Sequence, residues 1–347
     1  MFLHVGVSFM SDMLKRSLGG SGIGASSVAL GTWAIGGDGW GGSQRADDIL
    51  AIQAAIDAGI NFIDTAPIYG FGISEEIVGE AIRGRRDEVI VASKCGLRWD
   101  TEEGEFNFED GEGNRIHKCL SPESIAHEVD ESLRRLGVEA IDLYQTHWQT
   151  ETTAIEDTMA ELLRQKDAGK IRAIGVSNVS TEQVDEYVKS GAIACIQEMF
   201  SMIDRGHEAE LFPSAVNQGL SVLAYSPLAM GLLTGKLGPE REFEASDNRS
   251  WSPRFSVENR MKVAALLEDL RPIAADSGLT LPQLVISWTV AQPNVSHVLC
   301  GARSPAQAQE NAVGGEGRLD QASLVEINTL LETHAVKLPH PFLPDEE

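Results

Sequence analysis

The chain has 347 residues, more than the roughly 250 of a bare eight-fold βα barrel, so it can bury a large core as one decorated barrel or as two smaller domains. Hydrophobic residues make up 42% of it and charged residues 23%, which excludes a disordered chain. A formal charge of −24 excludes a nucleic-acid binder, which needs clustered Lys and Arg, yet an anion can still be held locally at a helix N-terminus.

Residues 1–13 read as a disordered leader or the product of an upstream start codon, because Met10 and Met13 are equally good starts and no basic segment or cleavage site of a signal peptide accompanies them. Residues 14–347 read as one domain, with no composition shift or linker to split it. The glycine-punctuated stretch from Leu14 predicts a β-hairpin leading into a first buried strand at 28–30. Further strands are predicted at 61–64, 88–94, 140–147, 171–177, 194–198, 221–226 and 295–300. Helical periodicity lies between them at 46–58, 74–83, 121–136, 153–168, 180–190, 208–218, 258–277 and 281–292.

Helix starts are marked chemically. Ser121-Pro122-Glu123 sets a capping hydroxyl before a proline at the first helical position, and Ser180-Thr181-Glu182 does similar work. Strict βα alternation implies a parallel sheet with right-handed crossovers, either a closed barrel or an open doubly wound sheet. Residues 100–114 and 238–253 break the rhythm and read as long loops over one face. No stretch reaches the ~18 apolar residues of a membrane span. Cys95, Cys119, Cys195 and Cys300 lack disulfide-framework or zinc spacing, so reduced thiols, no metal and a cytoplasmic location are expected.

Two constellations bear on chemistry. Gly37-Asp38-Gly39-Trp40-Gly41-Gly42 satisfies G-x-G-x-x-G, with Asp64 following at the end of the next strand. The bulky Trp40 sits poorly in a turn that must approach a pyrophosphate, which favours a flexible pocket loop over a dinucleotide turn. The second constellation is Asp64, Tyr69, Lys94 and His147, at or just past the C-terminal ends of successive strands. Singly they read as a helix cap, a half-buried aromatic, a surface charge and a satisfied histidine. Jointly, polar terminations of apolar strands are what a barrel enzyme places at its mouth.

From Leu14 to about Asn311 the sequence resembles the aldo-keto reductase family. The likeness is carried by Gly31-Thr32, Asn61-Phe62-Ile63-Asp64-Thr65-Ala66, Tyr69-Gly70, Ser74-Glu75, Lys94, the strand to His147, Gly175-Val176-Ser177-Asn178, Gln197, Tyr225-Ser226-Pro227-Leu228, Gly231-Leu232-Leu233-Thr234-Gly235-Lys236, and Gln307 with Glu310-Asn311. It implies a (β/α)8 TIM barrel with an N-terminal β-hairpin and long loops on the C-terminal face. It also implies that Asp64, Tyr69, Lys94 and His147 are a catalytic tetrad. Tyr69 would donate a proton to the reduced carbonyl, Lys94 would lower its pKa, Asp64 would keep Lys94 charged and His147 would bond the carbonyl oxygen.

The same resemblance implies a nicotinamide cofactor. Ser177, Asn178 and Gln197 would grip the carboxamide, Tyr225 would stack on the ring, and the segment holding Ser226, Pro227, Leu228, Gly231 and Lys236 would meet the pyrophosphate. Gly31, Thr32 and Trp33 would border the site, and Gly301, Arg303, Gln307, Glu310 and Asn311 would meet the adenosine end. Arg303, and more weakly Arg254, would take a 2′-phosphate, favouring NADPH over NADH. Trp33, Trp148, Arg98 and Lys118 are the expected substrate contacts, suited to a small aldehyde or a sugar-like carbonyl, including a charged sugar derivative. Rival readings are a Schiff-base aldolase using Lys94 and a cofactor-binding regulatory subunit. Either a monomer or a homo-oligomer is compatible with the sequence.

Overall fold

A short antiparallel hairpin opens the computed structural model, which describes residues 13–341: β1 (Lys15–Ser17) pairs with β2 (Gly24–Ser26). The barrel strands β3 (Val28–Gly31), β4 (Phe62–Asp64) and β5 (Ile90–Cys95) follow. After β5 the chain makes a separate three-stranded sheet of β6 (Leu97–Arg98), β7 (Glu105–Glu109) and β8 (Arg115–Lys118). It then returns to the barrel through β9 (Ile141–Thr146), β10 (Ile171–Ser177), β11 (Cys195–Met199), β12 (Ser221–Tyr225) and β13 (His297–Gly301). All eight barrel strands run parallel and close on themselves, β13 against β3 and β5 against β9. The closed alternative is therefore the correct one.

Among the described residues ten α-helices accompany the strands: α1 (Arg45–Asp57), α2 (Ile73–Ala81), α3 (Pro122–Leu136), α4 (Ile155–Asp167), α5 (Thr181–Ser190), α6 (Leu211–Asn217), α7 (Val257–Asp276), α8 (Leu281–Val290), α9 (Pro305–Val313) and α10 (Gln321–His334). Ser121 caps α3 by accepting from the Ser124 amide, and Ser180 forms a reciprocal capping box with Gln183 at α5. One expectation is corrected here. Much of 100–114, taken for a loop, is β7 and the turn into β8, where Phe106 faces His117 across the ladder.

The apolar residues partition into two shells. Ala29, Phe62, Ala92, Leu143, Ala173, Cys195, Leu223 and Leu299 fill the barrel interior, joined from below by Leu18 and Ala25 of the hairpin. Packing there is tight: a Cβ on Gly175 would stand 2.7 Å from the Cys195 sulfur. A larger cluster lies between the strands and the ring of helices. Of the expected leader, residues 1–12 lie outside the described part, but Met13 is buried in that cluster with Val28. Among the described residues no helix is long and apolar enough to cross a membrane.

Candidate active site

Strand ends bring the second constellation together. Asp64 closes β4, Lys94 sits near the end of β5, His147 follows β9, and Tyr69 is delivered by the turn after β4. Lys94 is fully buried, and its ammonium donates to Asp64 Oδ1 at 2.6 Å, to the Thr65 carbonyl at 3.0 Å and to the Tyr69 hydroxyl at 3.2 Å. Those three bonds use all of its protons. Asp64 Oδ2 accepts from Gln197 Nε2 at 2.9 Å and from Gln145 Nε2 at 3.2 Å, so both carboxylate oxygens are satisfied inside the barrel. The His147 ring stands edge-on to Tyr69, with centroids 5.8 Å apart and planes at 82°.

Burial and charge compete at each of these groups. Burial raises the Tyr69 pKa above the ordinary phenol value and outweighs the opposing pull of Lys94. Lys94 does pull the phenol pKa down, as expected, but burial, with Asp64 nearby, more than offsets that pull. Burial also opposes the Lys94 charge, yet Asp64 and the Tyr69 oxygen together hold its pKa above that of an ordinary lysine. Burial, with Lys94 nearby, drives His147 well below the ordinary histidine value, leaving a neutral imidazole.

Asp64, Tyr69 and His147 open into a cavity of about 1510 Å³, behind which Lys94 is sealed. The same cavity gathers Gly31, Thr32, Trp33, Ser177, Asn178, Gln197, Tyr225, Ser226, Pro227, Leu228, Gly231, Lys236, Gly301, Arg303, Gln307, Glu310 and Asn311. Trp148 and Lys118 line it as well. Asn178 donates to the His147 carbonyl at 2.8 Å and accepts from the Tyr225 hydroxyl at 2.9 Å, tying the strand ends to each other. Asn178, Ser226 and Met230 all have left-handed backbones, with φ of 56°, 56° and 54°. Such conformations cost about 1–3 kcal/mol each, and here they gather along one groove.

Two expected residues point elsewhere. Arg254 is 1% exposed and donates to Asp204 Oδ2 at 2.6 Å and to the Pro339 carbonyl at 2.8 Å, so it is not a phosphate ligand. Arg98 lies outside the cavity wall because its guanidinium is drawn to Asp100 at 2.6 Å and to the Ser124 hydroxyl at 2.8 Å. Lys118 does reach the wall but is paired with Glu105 at 2.8 Å.

Other residues reach the cavity unexpectedly. Asp38, Glu109, Asp110 and Glu112 give its rim an acidic character, and burial together with Asp110 and Glu112 raises the Asp38 pKa. Pro339, His340 and Pro341 from the C-terminal tail form another part of the wall. Arg249 lies over the Trp40 indole at 5.0 Å and pairs with Asp247 at 2.6 Å. Trp40 and Asp247 make an antiparallel bridge, and the Asn248 amide donates to the Gly39 carbonyl at 2.9 Å, so the glycine loop is strapped across the groove. Arg303, just before α9, donates to the Trp40 carbonyl at 2.9 Å and the Gly42 carbonyl at 3.2 Å.

The donor set fits a dinucleotide. Amide groups and an aromatic ring lie near the catalytic constellation, and along the groove Arg303 makes no ion pair with a carboxylate among the described residues, while Lys236 and Arg249 are paired with Glu310 at 3.6 Å and Asp247 at 2.6 Å. The Gly37–Gly42 motif contributes to that groove as a loop, not as a turn opening a helix on the phosphates.

Comparison with known proteins gives a consistent picture. A family model described as the Aldo/keto reductase family matches residues 27–332. The chain is 41% identical over 327 residues to the "NADH-specific methylglyoxal reductase" of Escherichia coli, covering 92% of this chain and 99% of that protein. It is 32% identical to a "Probable voltage-gated potassium channel subunit beta" of Oryza sativa, covering 86% of this chain and 90% of that protein. Among solved structures, the glycerol dehydrogenase from Gluconobacter oxydans superposes with a TM-score of 0.82 at 36% identity, covering 96% of this chain and 99% of that one. A Klebsiella pneumoniae aldo/keto reductase in complex with NADP and acetate gives a TM-score of 0.69 at 27% identity, covering 92% of this chain and 95% of that one.

Proposed function

The chain belongs to the aldo/keto reductase family, and on that premise we propose that it is an NADPH-dependent oxidoreductase reducing small, uncharged aldehydes and ketones, sugar-like ones among them. The observation that carries this reading is the buried chain Asp64–Lys94–Tyr69, which ends on a phenol facing the cavity. When bound, the nicotinamide supplies hydride to the carbonyl carbon. As charge develops on the substrate oxygen, the neutral His147 donates a hydrogen bond to it and Tyr69 transfers its phenolic proton there. The Lys94 ammonium stabilises the phenolate left behind, and Asp64 holds Lys94 in its charged form.

Ser177, Asn178 and Gln197 offer the donors and acceptors a carboxamide needs, and Tyr225 offers a ring face. Leu228, Gly231 and the exposed Lys236, held only loosely by Glu310 at 3.6 Å, line the arm that suits a pyrophosphate. Arg303 makes no ion pair with a carboxylate among the described residues and stands just before the N-terminus of α9, which suits a 2′-phosphate. The Escherichia coli relative is named for NADH, so the NADPH preference rests on Arg303.

The substrate is inferred to be uncharged because the cations first assigned to it are neutralised, Arg98 by Asp100 and Lys118 by Glu105, while the rim is acidic. Trp33 and Trp148 present flat faces for C–H groups of a polyol or small aldehyde. The aldolase reading loses its basis, since a lysine kept charged by Asp64 at 2.6 Å is not a nucleophile. Fluorescence titration with NADPH and NADH, followed by nicotinamide absorbance with methylglyoxal, glyceraldehyde and glyoxylate, tests the proposal. Failure to bind either nucleotide, or faster turnover of the anionic glyoxylate than of methylglyoxal, would overturn it.

A further inference from the structure

Arg254, 1% exposed, is the most deeply buried arginine among the described residues, and its surroundings are specific. Its guanidinium meets Asp204 Oδ2 at 2.6 Å, and Asp204 is itself fixed by the Ser201 hydroxyl at 2.7 Å in the turn after β11. The other arm of the guanidinium donates to the backbone carbonyl of Pro339 at 2.8 Å, spanning 85 residues. Its Nε proton is buried with no acceptor among the described residues. A buried ion pair with an orphaned donor is a poor source of stability, because desolvation offsets most of its Coulomb attraction. What the pair does supply is a fixed address for the tail. Pro339, His340 and Pro341 stand in the cavity wall, and His340 interacts electrostatically with both Asp204 and Arg254.

We propose that Arg254 and Asp204 form a clasp that holds the C-terminal tail as a wall for the carbonyl substrate, making Arg254 a positioning residue for substrate binding. This inference rests on the carbonyl-reductase reading. Assignment to the substrate follows from the chemistry of the tail. Two of its three lining residues are prolines, which have no N–H to give a pyrophosphate, and the Pro339 carbonyl is turned to Arg254. Their ring faces instead close an apolar side on a small carbonyl compound.

The test compares the wild type, Arg254→Met, Arg254→Lys, a chain ending at Leu338, and that shortened chain carrying Arg254→Met. Arg254→Met is expected to raise KM for methylglyoxal roughly tenfold, the scale of losing one apolar pocket contact, while NADPH affinity and kcat stay within about twofold. Arg254→Lys keeps the charge beside Asp204 and should recover part of the loss. The chain ending at Leu338 should show the raised KM by itself, and adding Arg254→Met to it should raise KM no further. Tryptic cleavage after the exposed Lys337 supplies a readout independent of turnover, and it should run several-fold faster in Arg254→Met.

A KM increase of equal size in the shortened background, an unchanged KM in the shortened chain, an unchanged cleavage rate, or weakened NADPH binding would each overturn the clasp. If Arg254→Met does not fold, the shortened chain and Arg254→Lys still decide the question. If the wild type reduces no carbonyl, the reductase reading fails while the cleavage rate still judges the clasp.

Discussion

The Tyr69 hydroxyl oxygen accepts a hydrogen bond from the Lys94 ammonium at 3.2 Å, so the phenolic proton is directed away from the lysine. A single contact therefore orients an acid and places a counter-charge against its conjugate base. Removing the hydroxyl in Tyr69→Phe should lower kcat by roughly a hundredfold to ten-thousandfold, the usual range for a general acid. Nucleotide affinity measured by fluorescence should be retained, and near wild-type turnover would remove Tyr69 from the mechanism.

Arg303 offers its guanidinium beside α9 while it latches the carbonyls of Trp40 and Gly42. Charge-assisted hydrogen bonds contribute about 1.5–3 kcal/mol, so Arg303→Ala should weaken NADPH roughly tenfold to a hundredfold. NADH, which lacks the 2′-phosphate, should be affected far less. Equal loss for both nucleotides would instead assign Arg303 to holding the glycine loop.

Much of this arrangement was legible in the residues. The strand-end positions of Asp64, Lys94 and His147 follow from apolar runs that stop at polar residues, and the barrel places such ends together. Tertiary partners were not legible. Arg254 looked like a phosphate ligand because a guanidinium in a loop advertises charge, whereas its actual partners are 50 and 85 residues away. The β7–β8 hairpin is masked in the sequence because acidic residues and glycines outnumber its apolar positions. Its signal was the Phe106-Asn107-Phe108 alternation, with a turn at Asp110 to Gly113. Helices α9 and α10 were not predicted as such, although Ser304-Pro305 carries the same capping signature as Ser121-Pro122.

Gly39 occupies a left-handed backbone at φ 68°, and a Cβ there would stand 2.2 Å from Asn248 Nδ2. Gly39→Ala should thus loosen the strap that joins the glycine loop to Asp247 and Asn248. Left-handed backbone costs about 1–2 kcal/mol in a residue with a Cβ, which corresponds to roughly fivefold to thirtyfold faster nucleotide release. Stopped-flow displacement of bound NADPH measures it. An unchanged release rate would show that the strap does not gate the groove.

Glu128 accepts from the Gly96 amide with both oxygens, and burial pushes its pKa from an ordinary 4.5 up to about 8. Between those values the folded protein keeps a proton that the unfolded chain gives up, so stability contributed at low pH is withdrawn as pH rises from 4.5 to 8. Glu128→Gln has no proton to lose and keeps a carbonyl acceptor for Gly96. Its melting temperature relative to wild type should therefore climb by a few degrees between pH 5 and pH 8.5. A difference independent of pH would mean that Glu128 is ionised in the folded protein. Glu198, also near 8, leaves part of the wild-type dependence in place.

The hairpin beneath the barrel has a consequence for traffic. Because Leu18 and Ala25 pack into the same cluster as Phe62, Leu143 and Leu223, the end of the barrel opposite the reaction cavity is stoppered. Exchange with solvent is therefore confined to the strand-end face, where the acidic rim lies. On the proposed reductase function, alcohol product and incoming carbonyl would compete for that face, so slow departure of product would limit turnover independently of Tyr69 and Lys94.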